Sequence, residues 1–373
     1  MIKMKISLLG HGFIAKAHAN AYLVSPRFFQ LSEEPELSVV YGRDLGSLKA
    51  FAKKFGFKTY TTDLTEAISM GEVIDNCLPN HMHAAPTISA LNNGKHVLLE
   101  KPMAMNAQEA REIVEASKKA GDDVKGMLAF NYRFLPAVAL AKELIEEGRL
   151  GKVHEYRAAY LHESLTRPSA RATWRQSKEL SGTGALGDLG SHAIDMALYL
   201  LGAIKGVMGK TYTVKQELPS RDGTMVPQEV DDAFVALLSF TSGAYGVVEA
   251  SKVSPGMKNF FRFEVHGSKG SLAFNLERPN ELNFFTFDDE QKVSGFRTII
   301  ATDPSHPYGG IWWPPGHVLG WEHSIDIEIG HFLDCVANNK PIYPGATLED
   351  GLLNQKIIDD ISLSSEKGQW VTL

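Results

Sequence analysis

A chain of 373 residues is long enough for two domains with cores of their own, and too long for a single small module. Its 44% hydrophobic and 22% charged content and its formal net charge of -6 are ordinary for a globular protein, with none of the basic excess that a phosphate backbone demands. Nucleic acid is therefore not an expected partner. Cys77 and Cys335 lack CxxC spacing, so neither a zinc site nor a disulfide framework is expected. The apolar run Ile6 to Leu9 is too short for a signal peptide, and Asp195 and Lys205 interrupt the best candidate for a membrane span. No membrane association and a cytoplasmic location are the expectation.

That first apolar run reads as a strand, and Gly10-His11-Gly12-Phe13-Ile14-Ala15 follows it directly, before a helical pattern through Ala17, Ala21 and Leu23. In a dinucleotide fold the first glycine makes the turn and the second lets backbone approach a pyrophosphate. The third permits close packing of helix on strand, and Ala15 is an accepted variant there. Alternation continues with strands over 37–41, 73–77 and 96–100 and helices over 45–55, 86–93 and 107–120, which predicts an α/β fold with a parallel doubly wound sheet. Such sheets bind ligands past the carboxyl ends of their strands. The nucleotide candidates are thus Gly10, Gly12, Phe13, Ile14, Arg43, Asp44, Leu78, Pro79, Asn80, His83, Glu100, Lys101 and Asn131. At the second strand end, Gly42 occupies the usual acidic position. Arg43 suits adenine or a 2'-phosphate and Asp44 suits a ribose, so NAD and NADP both remain open.

Beyond about residue 130 the pattern shifts to longer alternating strands, among them 153–160, 233–240, 245–250, 261–266 and 271–275. Few helices separate them, and an α+β domain with a large open, mostly antiparallel sheet is expected. The boundaries are 1–130 and 131–373, with a last helix over about 348–366 packing back near the first domain. Asp188, His192, Asp195 and Tyr199 stand at i, i+4, i+7 and i+11, one face of a helix whose other face is apolar. A titratable stripe of this kind fits a cleft wall; a structural Asp-His pair at a helix start is the alternative.

Glu100-Lys101-Pro102 at a strand end, with Gly187-Asp188-Leu189-Gly190-Ser191-His192 further on, resembles the glucose-fructose oxidoreductase / inositol dehydrogenase (Gfo/Idh/MocA) family. Leu78-Pro79-Asn80 through His83, Asn131-Tyr132-Arg133 and Leu348-Glu349-Asp350-Gly351 extend the likeness over nearly the whole chain. The resemblance implies a Rossmann domain, an NAD(P) cofactor, Lys101 beside the nicotinamide and the substrate hydroxyl, and a homodimer or homotetramer formed through the second sheet. Ala15 and Gly42 depart from the family pattern.

Oxidation of a secondary alcohol needs a base for the hydroxyl proton while hydride leaves carbon. His192 is assigned as acid/base, Lys101 as electrostatic and proton-relay partner, and Asp188 as hydroxyl ligand and orienter. Whether His192 or Lys101 first takes the proton stays open. Lys101, Tyr132, Arg133, Trp174, Arg175, Asp188, His192 and His323 are the substrate candidates, because an aromatic beside polar groups suits a sugar ring. No catalytic metal is expected. The leading expectation is a sugar, polyol or anhydrosugar dehydrogenase; the alternatives are an NAD-retaining glycosidase and a non-catalytic nucleotide-binding regulator.

Overall fold

The computed structural model describes residues 3–373. Two compact units emerge: the chain up to Phe134 together with Gly320–Leu353, and Leu135–Leu319 together with Asn354–Leu373.

The first unit alternates strand and helix: β1 (Lys3–Leu9), α1 (Phe13–Phe28), β2 (Glu34–Tyr41), α2 (Leu45–Phe55), β3 (Thr59–Thr61), α3 (Leu64–Met70), β4 (Val73–Asn76), α4 (Ala84–Asn92), β5 (His96–Glu100), α5 (Ala107–Ala120) and β6 (Gly126–Ala129). Their order across the sheet, β6-β5-β4-β1-β2-β3, reverses between β1 and β4, and all these pairings are parallel. Ligands bind doubly wound sheets at that reversal. Every residue of β4 is buried, as a strand covered on both faces requires. Short polar side chains start the helices: Asp44 accepts from Ser47 N on α2, Asp63 caps α3 and Asn106 caps α5, each worth about 1 kcal/mol. β3 and α3, of three and seven residues, are too short to show a period in the sequence.

In the second unit, α6 (Pro136–Glu146) precedes β7 (Val153–Leu161), α7 (Lys178–Ser181) and α8 (Ser191–Leu201). There follow β8 (Ile204–Tyr212), β9 (Glu217–Pro219), β10 (Met225–Pro227), β11 (Ala233–Phe240), β12 (Tyr245–Ser251), β13 (Phe260–Gly267), β14 (Gly270–Asn275), β15 (Glu281–Thr286) and β16 (Arg297–Ile300). The chain ends with α9 (Glu322–Ala337), β17 (Ala346–Thr347), α10 (Leu348–Lys367) and β18 (Val371–Thr372). The large sheet has nine strands in the order β16-β15-β14-β13-β7-β12-β11-β8-β18. Among the described residues its pairings are antiparallel except β7 with β12. One face is buried beneath α6 and α8, where Tyr156 on β7 donates to the Ala193 carbonyl at 3.1 Å. Its other face is open, and β11 alternates accordingly, with Val235 and Leu237 outward.

Gly320–Leu353, although late in the chain, groups with the first unit. The cause is packing: α9 lies along α1, Ser25 Oγ donates to the Asp326 carbonyl at 2.7 Å, and the Phe29 ring lies so close to Gly330 that a Cβ there would sit 2.7 Å from it. β17 also adds to the first sheet, antiparallel to β6. The boundary falls inside α10, at Leu353 and Asn354.

Candidate functional site

The glycine turn has the geometry its sequence demands. Gly10 takes φ 108°, and a Cβ on it would lie 2.8 Å from the Cys77 carbonyl oxygen. Gly12 is exposed at the N-cap of the 16-residue α1, with no atom within 4 Å of where its Cβ would stand. A bare backbone facing open space at a helix N-terminus is what a pyrophosphate requires, so the residues present fit a dinucleotide. Phe13, 74% exposed, stacks on Trp321 at 5.6 Å, and Ile14 is half-buried. Buried Ala15 replaces the third glycine without disturbing α1.

At the end of β2, a side chain on Gly42 would meet the His11 ring at 2.5 Å, and His11 Nε2 lies 3.0 Å from Ser47 Oγ. Arg43 is exposed. Asp44 is committed to capping: hydrogen bonds from the Ser47 side chain and backbone hold its carboxyl below the usual range. Past β4, Leu78 and Pro79 are half-buried and Asn80 buried. His83, 1% exposed, has Nδ1 at 2.7 Å from the Pro102 carbonyl and Nε2 at 2.8 Å from that of Leu78, while burial holds its pKa below the ordinary value. It therefore ties the loops after β4 and β5 together. Lys101 is half-buried, in a cis peptide with Pro102, and the Glu100 carboxylate turns inward, accepting from Lys101 N at 3.0 Å.

Asn131, Tyr132 and Arg133 are all buried in the first unit. Asn131 donates to Ser324 Oγ at 2.7 Å, and the Arg133 guanidinium reaches the Pro344 carbonyl and Asp350, each at 3.4 Å. Arg133 thus links the returning segment to the unit. His323, half-buried, accepts from Gly320 N at 3.1 Å.

In the second unit, a cluster forms around Asp188. The regular helix begins only at Ser191, and Asp188 lies in the wider π-helical turn Leu186–Gly190. The face predicted for Asp188, His192, Asp195 and Tyr199 is broken there, because a π turn inserts extra backbone per turn. Asp188 Oδ2 lies 2.9 Å from Lys252 Nζ and 3.9 Å from Arg175 Nε, whose guanidinium in turn sits 4.5 Å over the Trp174 ring. The His192 ring is 5.8 Å from that of Tyr160, whose hydroxyl donates to Asn259 Oδ1 at 2.6 Å. Burial, then Arg167, lowers the pKa of His162, against the pull of Asp188. Tyr199 lies under Lys142 Nζ at 5.2 Å, and buried Asp195 joins burial in raising the Tyr156 pKa, so both face the unit's interior.

Sequence reasoning missed Lys252 and Asp231. Lys252 is 6% exposed at the end of β12, a placement that only the strand pairing reveals. Asp231 grips the turn, accepting from Gly184 N and Leu186 N at 2.7 Å each. A Cβ on Gly184 would fall 1.8 Å from the Asp231 carbonyl oxygen, so only glycine fits. Among the described residues, no helix is long and apolar enough to cross a membrane.

Two family models match the chain: an oxidoreductase family with an NAD-binding Rossmann fold over residues 4–125, and the GFO/IDH/MocA C-terminal domain over 138–273. The chain belongs to the GFO/IDH/MocA oxidoreductase family. Levoglucosan dehydrogenase of Pseudarthrobacter phenanthrenivorans is 36% identical, over 100% of this chain and 98% of its own. A solved levoglucosan dehydrogenase in complex with NADH superposes with TM-score 0.95 at 37% identity, covering 99% of each chain. An oxidoreductase domain protein from Kribbella flavida gives TM-score 0.96 at 39% identity, over 100% of this chain and 99% of its own. Membership in the GFO/IDH/MocA family accounts for the pairing of a parallel nucleotide-type sheet with a large open one.

Proposed function

We propose that this family member is an NAD(P)-dependent dehydrogenase that moves hydride between the nicotinamide ring and a hydroxyl-bearing carbon of a sugar, polyol or anhydrosugar. The observation that carries the reading is the Asp188 cluster, in which a carboxylate held by a buried lysine lies in the same unit as an imidazole and an arginine-capped indole. Those groups offer a hydroxyl acceptor, an acid/base and an apolar surface for a sugar ring. The full-length likeness to levoglucosan dehydrogenase supports a pyranose or anhydrosugar as the substrate class.

When bound, the nicotinamide supplies the hydride acceptor. Gly10, Gly12, Phe13 and Ile14 receive the pyrophosphate side, Arg43 the adenosine end, and Leu78, Pro79, Asn80 and Lys101 the remainder. His192 takes the hydroxyl proton at a ring nitrogen, Lys101 stabilises the developing alkoxide and relays the proton, and Asp188 holds a substrate hydroxyl. Trp174, Arg175 and His323 complete the substrate set. The first unit would serve the nucleotide and supply Lys101 and His323, and the second would supply Trp174, Arg175, Asp188 and His192. The open face of the large sheet, with Met208, Val235, Leu237 and Tyr245 exposed, supports self-association into a dimer or tetramer. Dependence on a diffusible dinucleotide supports a cytoplasmic location.

The test is a panel of polyols, aldoses and anhydrosugars assayed with NAD and with NADP at the reduced-nicotinamide absorbance. Turnover on at least one sugar is expected. No reduction on any member sinks the reading, and glycoside cleavage without net reduction replaces it with a glycosidase.

A further inference from the structure

Behind the Lys101 loop, within the first unit, lies a group of titratable residues that the proposed chemistry does not use. His18 on α1 and Asp75 on β4 are 0% exposed, and Glu100 at the end of β5 is 7% exposed. Cys77 and Tyr22 are also buried beside them. The His18 Nδ1 lies 2.9 and 3.1 Å from the two oxygens of Asp75, and its Nε2 lies 3.2 Å from Glu100 Oε1. The other oxygen of Glu100 accepts from the backbone N–H of Lys101 at 3.0 Å.

We propose that His18 is a positioning residue for Lys101: a buried imidazolium that ties Asp75 to Glu100 and through Glu100 fixes the backbone from which the Lys101 side chain departs. Both ring nitrogens face carboxylates, and only the doubly protonated ring donates at both. Neutral, the ring could donate to only one of the two buried carboxylates and would turn a lone pair toward the other, breaking the tie between Asp75 and Glu100. Burial opposes the charge on His18, yet the Asp75 carboxylate beside it leads the groups that hold the pKa well above the ordinary value. The same groups argue against a metal. His18, Asp75 and Cys77 present ligand atoms within 4.8 Å of one another, but burial, then Asp75, keeps the Cys77 thiol protonated, and it donates to Asp75 at 3.4 Å. The surrounding ionisable groups, Tyr22 on α1 and Glu328 on α9, add a phenol kept protonated by burial and Asp75, and a further carboxylate. Protons fill the positions that a cation would need.

Glu100 therefore does for the loop what a cap does for a helix, and His18 does the same for Glu100. A shift of about 1 Å in a reacting group costs up to roughly a hundredfold in rate. The inference rests on the role given to Lys101 above. Its test uses the full-length enzyme carrying His18→Gln, which keeps one donor, and His18→Leu, which keeps none, each alone and combined with Lys101→Arg. Thermal melting and fluorescence titration of the reduced cofactor accompany the kinetics.

Expected are cofactor affinity within about threefold of wild type and a fall in kcat of roughly 10–100-fold for His18→Leu, less for His18→Gln. The deuterium isotope effect on kcat should rise, and the loss should shrink to under about threefold in the Lys101→Arg background, as coupled positions require. Should His18→Leu fail to fold, His18→Gln and Glu100→Gln carry the same comparison. Folded His18 variants with wild-type kcat, or losses that multiply in full with Lys101→Arg, overturn the inference. Wild-type kcat in Lys101→Arg and Lys101→Met would instead overturn the functional reading itself.

Discussion

Lys252 Nζ and Asp188 Oδ2 lie 2.9 Å apart, with the lysine side chain 7% exposed and the carboxylate 29% exposed. One partner is sealed in the second unit and the other opens outward, so the lysine fixes the carboxylate's aim without competing for its outer oxygen surface. Removing the lysine takes away the cation at 2.9 Å and leaves the guanidinium of Arg175 more distant, at 3.9 Å. Lys252→Met should lower kcat/KM for the sugar substrate by roughly 10–100-fold, about 1.4–2.7 kcal/mol of transition-state stabilisation. Cofactor affinity should stay constant. An unchanged kcat/KM in folded Lys252→Met would remove Asp188 from the reaction.

Asp326 on α9 supplies a pH test. Burial, with Glu322 adding repulsion, raises its carboxyl to about 7. A folded pKa above the unfolded one means that the folded state binds the proton more tightly, so this group's contribution falls as pH rises from about 4 to 7 and its full penalty stands above 7. Asp326→Asn should therefore raise Tm at pH 8, by roughly 2–4 °C per kcal/mol relieved, and the gain should shrink as pH is lowered toward 4. Melting curves at pH 5 and pH 8 decide it; an equal or larger gain at pH 5 contradicts the assignment.

The close approach of His11 to Gly42 at the end of β2 supplies a test of cofactor preference. Gly42→Asp alone drives its Cβ to 2.5 Å from the His11 ring. It should cost about 1–3 kcal/mol of stability without improving the NAD over NADP ratio of kcat/KM. Gly42→Asp with His11→Ala frees the space, and the carboxylate then repels a 2'-phosphate, so the ratio should move toward NAD. A single Gly42→Asp variant that shifts the ratio as far as the double one refutes the argument.

The open sheet face can be tested through cross-strand neighbours. Leu237 stands opposite Met208 on β8 and Val247 on β12, with Leu237 itself 44% exposed. Leu237→Lys should leave the fold intact and shift light-scattering mass toward the monomer, as a charge placed in an apolar contact demands. An unchanged mass alongside unchanged secondary structure argues that self-association uses another surface.

What the sequence made legible was what short-range chemistry dictates. Gly10 announces a strand-to-helix turn because few other residues take its positive φ, Gly12 leaves the helix start bare, and the alternation in Ala233–Phe240 gives a half-buried strand. The Lys252 partnership was out of reach, since a lysine after a strand is usually solvated and only the fold seals this one. So was the π turn at Asp188, because a helical period carries no mark of one inserted residue. The ion pair of Arg133 with Asp350 was equally out of reach, since 217 residues separate the partners in the chain. The His18 network was hidden by distance in the chain, its members being brought together from α1, β4 and β5.

The return of Gly320–Leu353 to the first unit gives the order of biosynthesis a physical consequence. A nascent chain released through Phe134 has six parallel strands but neither the helix that lies along α1 nor the strand that flanks β6. Residues 135–319 must emerge before either arrives, which at roughly 5–20 residues per second is a wait of about 10–40 s. During that interval Tyr22 and its neighbours on α1 are open to water or to a chaperone. The nucleotide half of this protein is begun first and finished late.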